Sequence, residues 1–181
     1  MVYPVFNGAQ VDGWTPPHHQ LTTSADRDTR ADAWIAGTGA AITYGHNHAA
    51  YLPQPDRIEL PDRHQFVDTA GFYSTSTHGL CHWTGHPTRL ARDLTGRFGD
   101  DACAAEELVA ELGAAIACAH LGITPTARED HASYLAHWLR ILDADPETLF
   151  IVAARALAAV DHLDASQPDT VDSDVLEEVS A

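Results

Sequence analysis

The chain has 181 residues, 45% of them hydrophobic, with four Trp, five Tyr and five Phe. That is enough for one globular domain with a sizeable core and argues against wholesale disorder. Twenty-six acidic residues against ten basic ones leave a net charge of −16, which repels phosphate backbones and argues against direct nucleic-acid binding.

Residues 1–23 carry Pro4, Pro16, Pro17 and little periodicity, and read as an extended arm with a short strand at Tyr3–Phe6. The start, MVYPVFNGAQ, has neither the basic leader nor the apolar core of a secretory signal. No apolar run approaches the roughly eighteen residues of a membrane span. The expected location is therefore cytoplasmic, with no membrane association. Three cysteines without a CxxC pair fit reduced thiols there.

Ser24 is placed to cap a helix through ADRDTRADAWIAGTG, ended by Gly37 or Gly39. Three strand-like runs come next: Ala41–Tyr44, Ala49–Leu52 and Arg57–Leu60. Gly45-His46-Asn47-His48 between the first two reads as a turn, so a small antiparallel sheet is expected, with His46 and His48 as polar turn residues. Pro61-Asp62 then introduces a helix running through Phe66 and Phe72 to Trp83-Thr84-Gly85.

Within this helix His78 and His82 are four residues apart, which stacks two imidazoles on one face within reach of one metal ion. The frame is that of His-Glu-x-x-His, whose Glu acts as general base on metal-bound water. Here the second position is Gly79. Cys81 points about 300° around the helix from His78 and is expected in packing rather than ligation.

The segment HPTRLARDLTGRFGD reads as a partly ordered loop. Asp100 or Asp101 then caps the helix ACAAEELVAELGAAIACAH. Ala105, Leu108, Val109, Leu112, Ala115, Ile116 and Ala119 form its apolar stripe. Glu107, beside that stripe, is the expected third metal ligand, with Glu111 one turn on as acceptor for the outward N–H of a ligand His and Glu106 in reserve. A helix over residues 128–143 turns Tyr134, Leu135, Trp138, Leu139 and Leu142 inward. Asp145-Pro146-Glu147 opens a last helix with Leu149, Val152, Ala153, Ala156, Leu157, Val160 and Leu163 on its apolar face. These elements make one α+β domain over 1–163, mostly helical. Residues 164–181, acidic and without Lys or Arg, read as a disordered tail.

The run HGLCHWTGHPTRLARDLTGRFGDDACAAEELVAELGAAIACAHLGI resembles the C-terminal metallopeptidase-like domain of ArdC-type antirestriction proteins of plasmids and phages. That family reads HELxHWTGH, then R-L-x-R-D-L, G-R-F-G and A-A-E-E-L-V-A-E-L-G-A. The likeness extends upstream to VFNGAQVDG and downstream through REDHASYLAHWLRIL and DPETLFIVAARALAAVDHL. It implies a zincin-like fold and a zinc ion held by His78, His82 and one of Glu106 and Glu107. Glu107 is favoured because Glu111 then matches the acid behind the ligands of similar zincins. A protein or peptide substrate or partner is implied as well. Family members usually carry an N-terminal domain for single-stranded DNA, and this chain is expected to correspond to the part after it.

Gly79 has no side chain for the proton transfers of a peptidase, a contribution of typically 10²–10⁴-fold. The expectation is a gluzincin-type, zinc-binding domain with weak or absent peptidase activity. An acid elsewhere, such as Asp93 or Glu106, is the alternative base. A binding protein that engages a protein partner through its acidic surface is the alternative function.

Overall fold

A computed structural model describes residues 24–94, 101–124, 138–139, 142–143 and 145–168. The expectations for the N-terminal arm, for Tyr134 and Leu135 and for residues 169–181 lie outside these.

Helix α1 (Ser24–Gly37) buries Ala31 and Ile35, one turn apart on one face, and Gly39 comes after it at a φ of 70°. Three short strands come next: β1 (Ala41–Thr43), β2 (Ala50–Leu52) and β3 (Arg57–Glu59). The sheet order is β1-β3-β2, with β1 parallel and β2 antiparallel to β3. The sheet is thus mixed, which corrects the all-antiparallel expectation. The Gly45–His48 turn does not join neighbouring strands, because β3 inserts between them. Beyond the paired residues, Leu60 N–H donates to Thr43 O at 2.9 Å and His46 N–H to Leu60 O at 3.1 Å. The central strand is β3, where charged Arg57 and Glu59 alternate with Ile58 and the following Leu60, the latter two buried in the core.

The helix expected from Pro61 onward starts later. Asp62 caps a single 3₁₀ turn (Arg63–Gln65), and Asp68 caps α2 (Thr69–Thr84), its carboxylate accepting from Gly71 N–H at 2.7 Å. Between Phe72 and Gly85 every residue except His78 and His82 is buried. A helix buried all round must satisfy its hydroxyls internally. Ser76 donates to Phe72 O (2.8 Å) and Thr77 to Tyr73 O (2.9 Å). Thr84 donates to Cys81 O at 2.6 Å.

Helix α3 (Asp101–Leu121) packs on α2, and α4 (Thr148–Ala165) packs on both. Val109, Ala110, Gly113, Ala114, Ala117, Cys118 and Leu121 form the buried face of α3, whereas Ala115 and Ala119 are exposed. The expected stripe is therefore rotated. Small residues, not the largest ones, face α2 because they let the two backbones approach. Gly113 shows how closely: a Cβ there would stand 2.5 Å from Cys81 Sγ. On α4, Val152, Ala156, Ala159, Val160 and Leu163 are buried, while Leu149 and Leu157 are exposed, as is Leu139. Trp138 is buried as expected and donates from its indole to Ala104 O at 3.1 Å.

Asp145 accepts from Glu147 N–H (3.0 Å) and from the Thr148 hydroxyl (3.3 Å), opening α4 as expected. The helix runs past residue 163 to Ala165. There Asp164 accepts from the Trp34 indole (2.8 Å), and Gln167 donates to Trp34 O (3.1 Å). No helix among the described residues is long and apolar enough to cross a membrane.

Overfilling the α2–α3 seam tests this packing. Gly113→Ala is expected to destabilise the fold by about 1–3 kcal/mol, and Cys81→Ala to relieve most of that loss. Urea unfolding of the two single variants and the double variant measures the coupling; strictly additive losses would show that the seam is not the cause.

Candidate metal centre

His78 and His82 line a cleft of about 410 Å³ together with Thr75 and Gly79 of the same helix and with Tyr51, Leu60 and Glu107. The helical i, i+4 spacing sets their rings 4.8 Å apart, edge to face, with the two Nε2 atoms 3.1 Å from each other. Glu107 enters from α3. Its Oε2 lies 3.5 Å from His78 Nε2 and its Oε1 3.5 Å from His82 Nε2. Among the described residues this is the one group of three or more His, Cys, Asp or Glu whose donor atoms converge within 4.8 Å.

The donor set fits a metal ion. Ligand atoms about 2.0–2.1 Å from a tetrahedral ion stand roughly 3.4 Å from one another, close to the 3.1 and 3.5 Å separations here. Two imidazoles and a carboxylate, with the cleft on the open side, are the protein ligands of one type of catalytic zinc site.

The acids behind the histidines divide the remaining work. Glu111 Oε1 lies 3.3 Å from His78 Nδ1, on the expected side, but without the angle of a hydrogen bond. Glu106, expected in reserve as a ligand, instead accepts from His82 Nδ1 at 3.2 Å, on the ring edge away from the Nε2 pair. Its two oxygens also receive Arg92, Nε to Oε2 and Nη2 to Oε1, both at 2.9 Å. Asp93 lines the same cleft. Cys81 is fully buried, and burial pushes its thiol up to about 12, so it offers no thiolate.

Two features were not anticipated from the residue pattern. The first is Arg92, which lies in the R-L-x-R-D-L motif but in a segment read as a loop. The second is Ile58, whose Cγ2 stands 3.0 Å from where a Cβ at Gly79 would be. The loop of residues 86–94 is itself well anchored. Arg89 stacks on the Trp83 ring at 3.8 Å, donates to Trp83 O at 2.7 Å and pairs with Asp56 at the β2–β3 turn. The turn histidines stay polar, as expected: His46 and His48 sit 3.5 and 3.2 Å from Glu59 Oε2.

Electrostatically the cluster attracts positive charge. Burial works against a charged His82, but hydrogen bonds to Glu106 and Glu107 outweigh it and hold the imidazolium up to about 9. Burial works against ionised Glu107 as well, and the bonds from His78 and His82 outweigh it, holding its carboxyl well below the usual range. The same opposition, with Arg92 added, keeps Glu106 low.

A helix carrying two histidines one turn apart, beneath a small sheet and completed by a carboxylate from a later helix, is the arrangement of zincin-like metallopeptidases. Residues 29–155 match the MPTase-PolyVal family of zincin-like metallopeptidases, and the chain belongs to that family. It is 40% identical over 173 residues to the uncharacterized protein y4eC of Sinorhizobium fredii (strain NBRC 101917 / NGR234), covering 96% of this chain and 56% of that protein. It is 42% identical over 153 residues to a DNA primase TraC of Escherichia coli, covering 84% of this chain and 14% of the primase.

Among solved structures it is similar to the antirestriction ArdC protein of plasmid R388. The Mn(II)-bound crystal structure of ArdC superposes with a TM-score of 0.69 at 36% identity, over 91% of this chain and 62% of ArdC. For the metal-free form the TM-score is 0.73 at 37% identity, over 89% and 58%. The chain thus spans less than two thirds of the length of each of these relatives. Its α+β fold is that of an ArdC-like, zincin-like domain.

The raised pKa of His82 makes the metal-free protein pH-sensitive. Its stabilising contribution is complete below the unfolded value of 6.5 and lost as pH rises through about 9. Thermal melts in chelator are expected to show a stability loss on the order of 3 kcal/mol across that window. The loss should flatten in His82→Asn; an unchanged slope in that variant would assign it elsewhere.

Proposed function

We propose that this chain is a gluzincin-type, zinc-binding domain of an ArdC-like antirestriction protein whose own peptidase activity is weak or absent. The observation that carries this reading is the convergence of His78, His82 and Glu107 on one point beside a residue without a side chain. Zinc rather than manganese is favoured by two imidazoles in a three-donor set, since manganese prefers oxygen-rich sites. When bound, zinc would supply Lewis acidity and lower the pKa of a coordinated water.

Whether that chemistry can be used depends on the residues around the ion. Glu107 and the two Nε2 atoms would hold it. Glu106 and Glu111 stand behind the outer ring nitrogens. At position 79, which lines the cleft, no group is present to take or return a proton. Ile58 supports the reading, because its Cγ2 packs against the place where a side chain at 79 would begin. Asp93 is the other acid of the cleft, but it comes from the loop after α2 rather than from the helix face that aims a base at the metal. The partner in this reading is a protein or peptide seated in the cleft, with no direct nucleic-acid contact, consistent with the net charge of −16.

Purified protein is expected to take up one zinc per chain, and His78→Ala to lose it. Hydrolysis of labelled casein by the zinc-loaded chain should lie near background and rise by 10²-fold or more in Gly79→Glu. That variant should also lose about 1–3 kcal/mol of stability as Ile58 yields. Wild-type hydrolysis as fast as that of Gly79→Glu would refute the loss of the base. Absence of zinc uptake would refute the metal reading.

A further inference from the structure

Arg92 lies in the loop after α2, contributes no metal-ligating atom, and is only 7% exposed at its side chain. A guanidinium this far from water needs its donors matched. It donates from Nη2 to Cys81 O (2.6 Å) and from Nη1 to Thr84 Oγ1 (2.8 Å), both in the last turns of α2. Its Nε and Nη2 grip Glu106 of α3 in a two-pronged pair. One side chain therefore ties together the helix that carries His78 and His82 and the helix that carries Glu107. With four hydrogen bonds made inward, it is poorly placed to hold an external anion.

The Glu106 oxygen that accepts from Arg92 Nη2 also accepts from His82 Nδ1, at 3.2 Å. A carboxylate on Nδ1 keeps a proton there and leaves the Nε2 lone pair for an ion. Glu106 can do this only while it is held in place. Arg92 supplies that restraint, and its charge is matched by Glu106, so the pair adds little net charge near a cation. We propose that Arg92 is a positioning residue for the metal centre, acting through Glu106 to orient the His82 ring and direct its Nε2 toward the ion. This role rests on the proposed metal site of His78, His82 and Glu107.

Zinc affinity, measured by chelator competition well below the melting temperature, tests it in the full chain. Arg92→Ala and Glu106→Ala are each expected to weaken zinc binding 10–100-fold. The double variant should be no weaker than the worse single one, because both act along one path. Arg92→Lys, which keeps the charge but not the two-pronged grip, should fall between wild type and Arg92→Ala. In zinc-loaded wild type the ¹⁵N spectrum of His82 should show a hydrogen-bonded Nδ1–H and a metal-bound Nε2; the Nδ1–H signal should lose its hydrogen-bond shift in Arg92→Ala.

Zinc affinity within twofold of wild type in folded Arg92→Ala, with only the melting temperature lowered, would overturn the proposal. So would additive losses in the double variant. If Arg92→Ala does not fold, Arg92→Lys and Glu106→Gln carry the same two readings. A wild-type chain that binds no zinc would bring down the metal reading and this inference together.

Discussion

Helix α2 is enclosed by the sheet on one side and by α3 and α4 on the other, and this enclosure governs the rest of the molecule. In water an imidazole is an ordinary polar group; at the wall of a core it must find partners or an ion. The two histidines stand at the openings in that wall. Each of them, and the acid between them, is answered by an opposite charge or a hydrogen-bonding group from another element. The seam between α2 and α3 is narrow enough for Glu106, Glu107 and Glu111 to reach the rings because small residues line it, so the packing of the core and the geometry of the site come from one set of contacts.

The acids of α3 illustrate how three neighbouring carboxylates acquire different roles. Glu107 projects between the two Nε2 atoms. Glu106, about 100° around the helix, meets the far edge of one ring and a buried guanidinium. Glu111, a turn away from Glu107, approaches the far edge of the other ring. Helical periodicity alone separates these directions. Desolvation strengthens each pairing relative to the same groups on a surface.

Much of this was legible in the residues. The His-x-x-x-His spacing and the two Glu one turn apart put the donor residues on their helices, because this depends on local periodicity, although α2 starts after Asp68 rather than after Asp62. What eluded the pattern depends on long-range choices. The order of the strands turned on which run would take the centre of the sheet, and Ile58 and Leu60 decided that by burial. The faces of α3 and α4 turned on whether large or small residues would meet α2, and closeness of approach selected Ala110, Gly113, Ala114 and Ala117. Arg92 sits in a stretch with no periodicity, so only its partners in space reveal what it touches.

The contact between Gly79 and Ile58 makes the floor of the cleft a joint property of helix and sheet. A side chain at position 79 would begin 3.0 Å from Ile58 Cγ2, so whatever the helix presents there has to be accommodated by the central strand. What the cleft can display at this point is thereby tied to how β3 is packed.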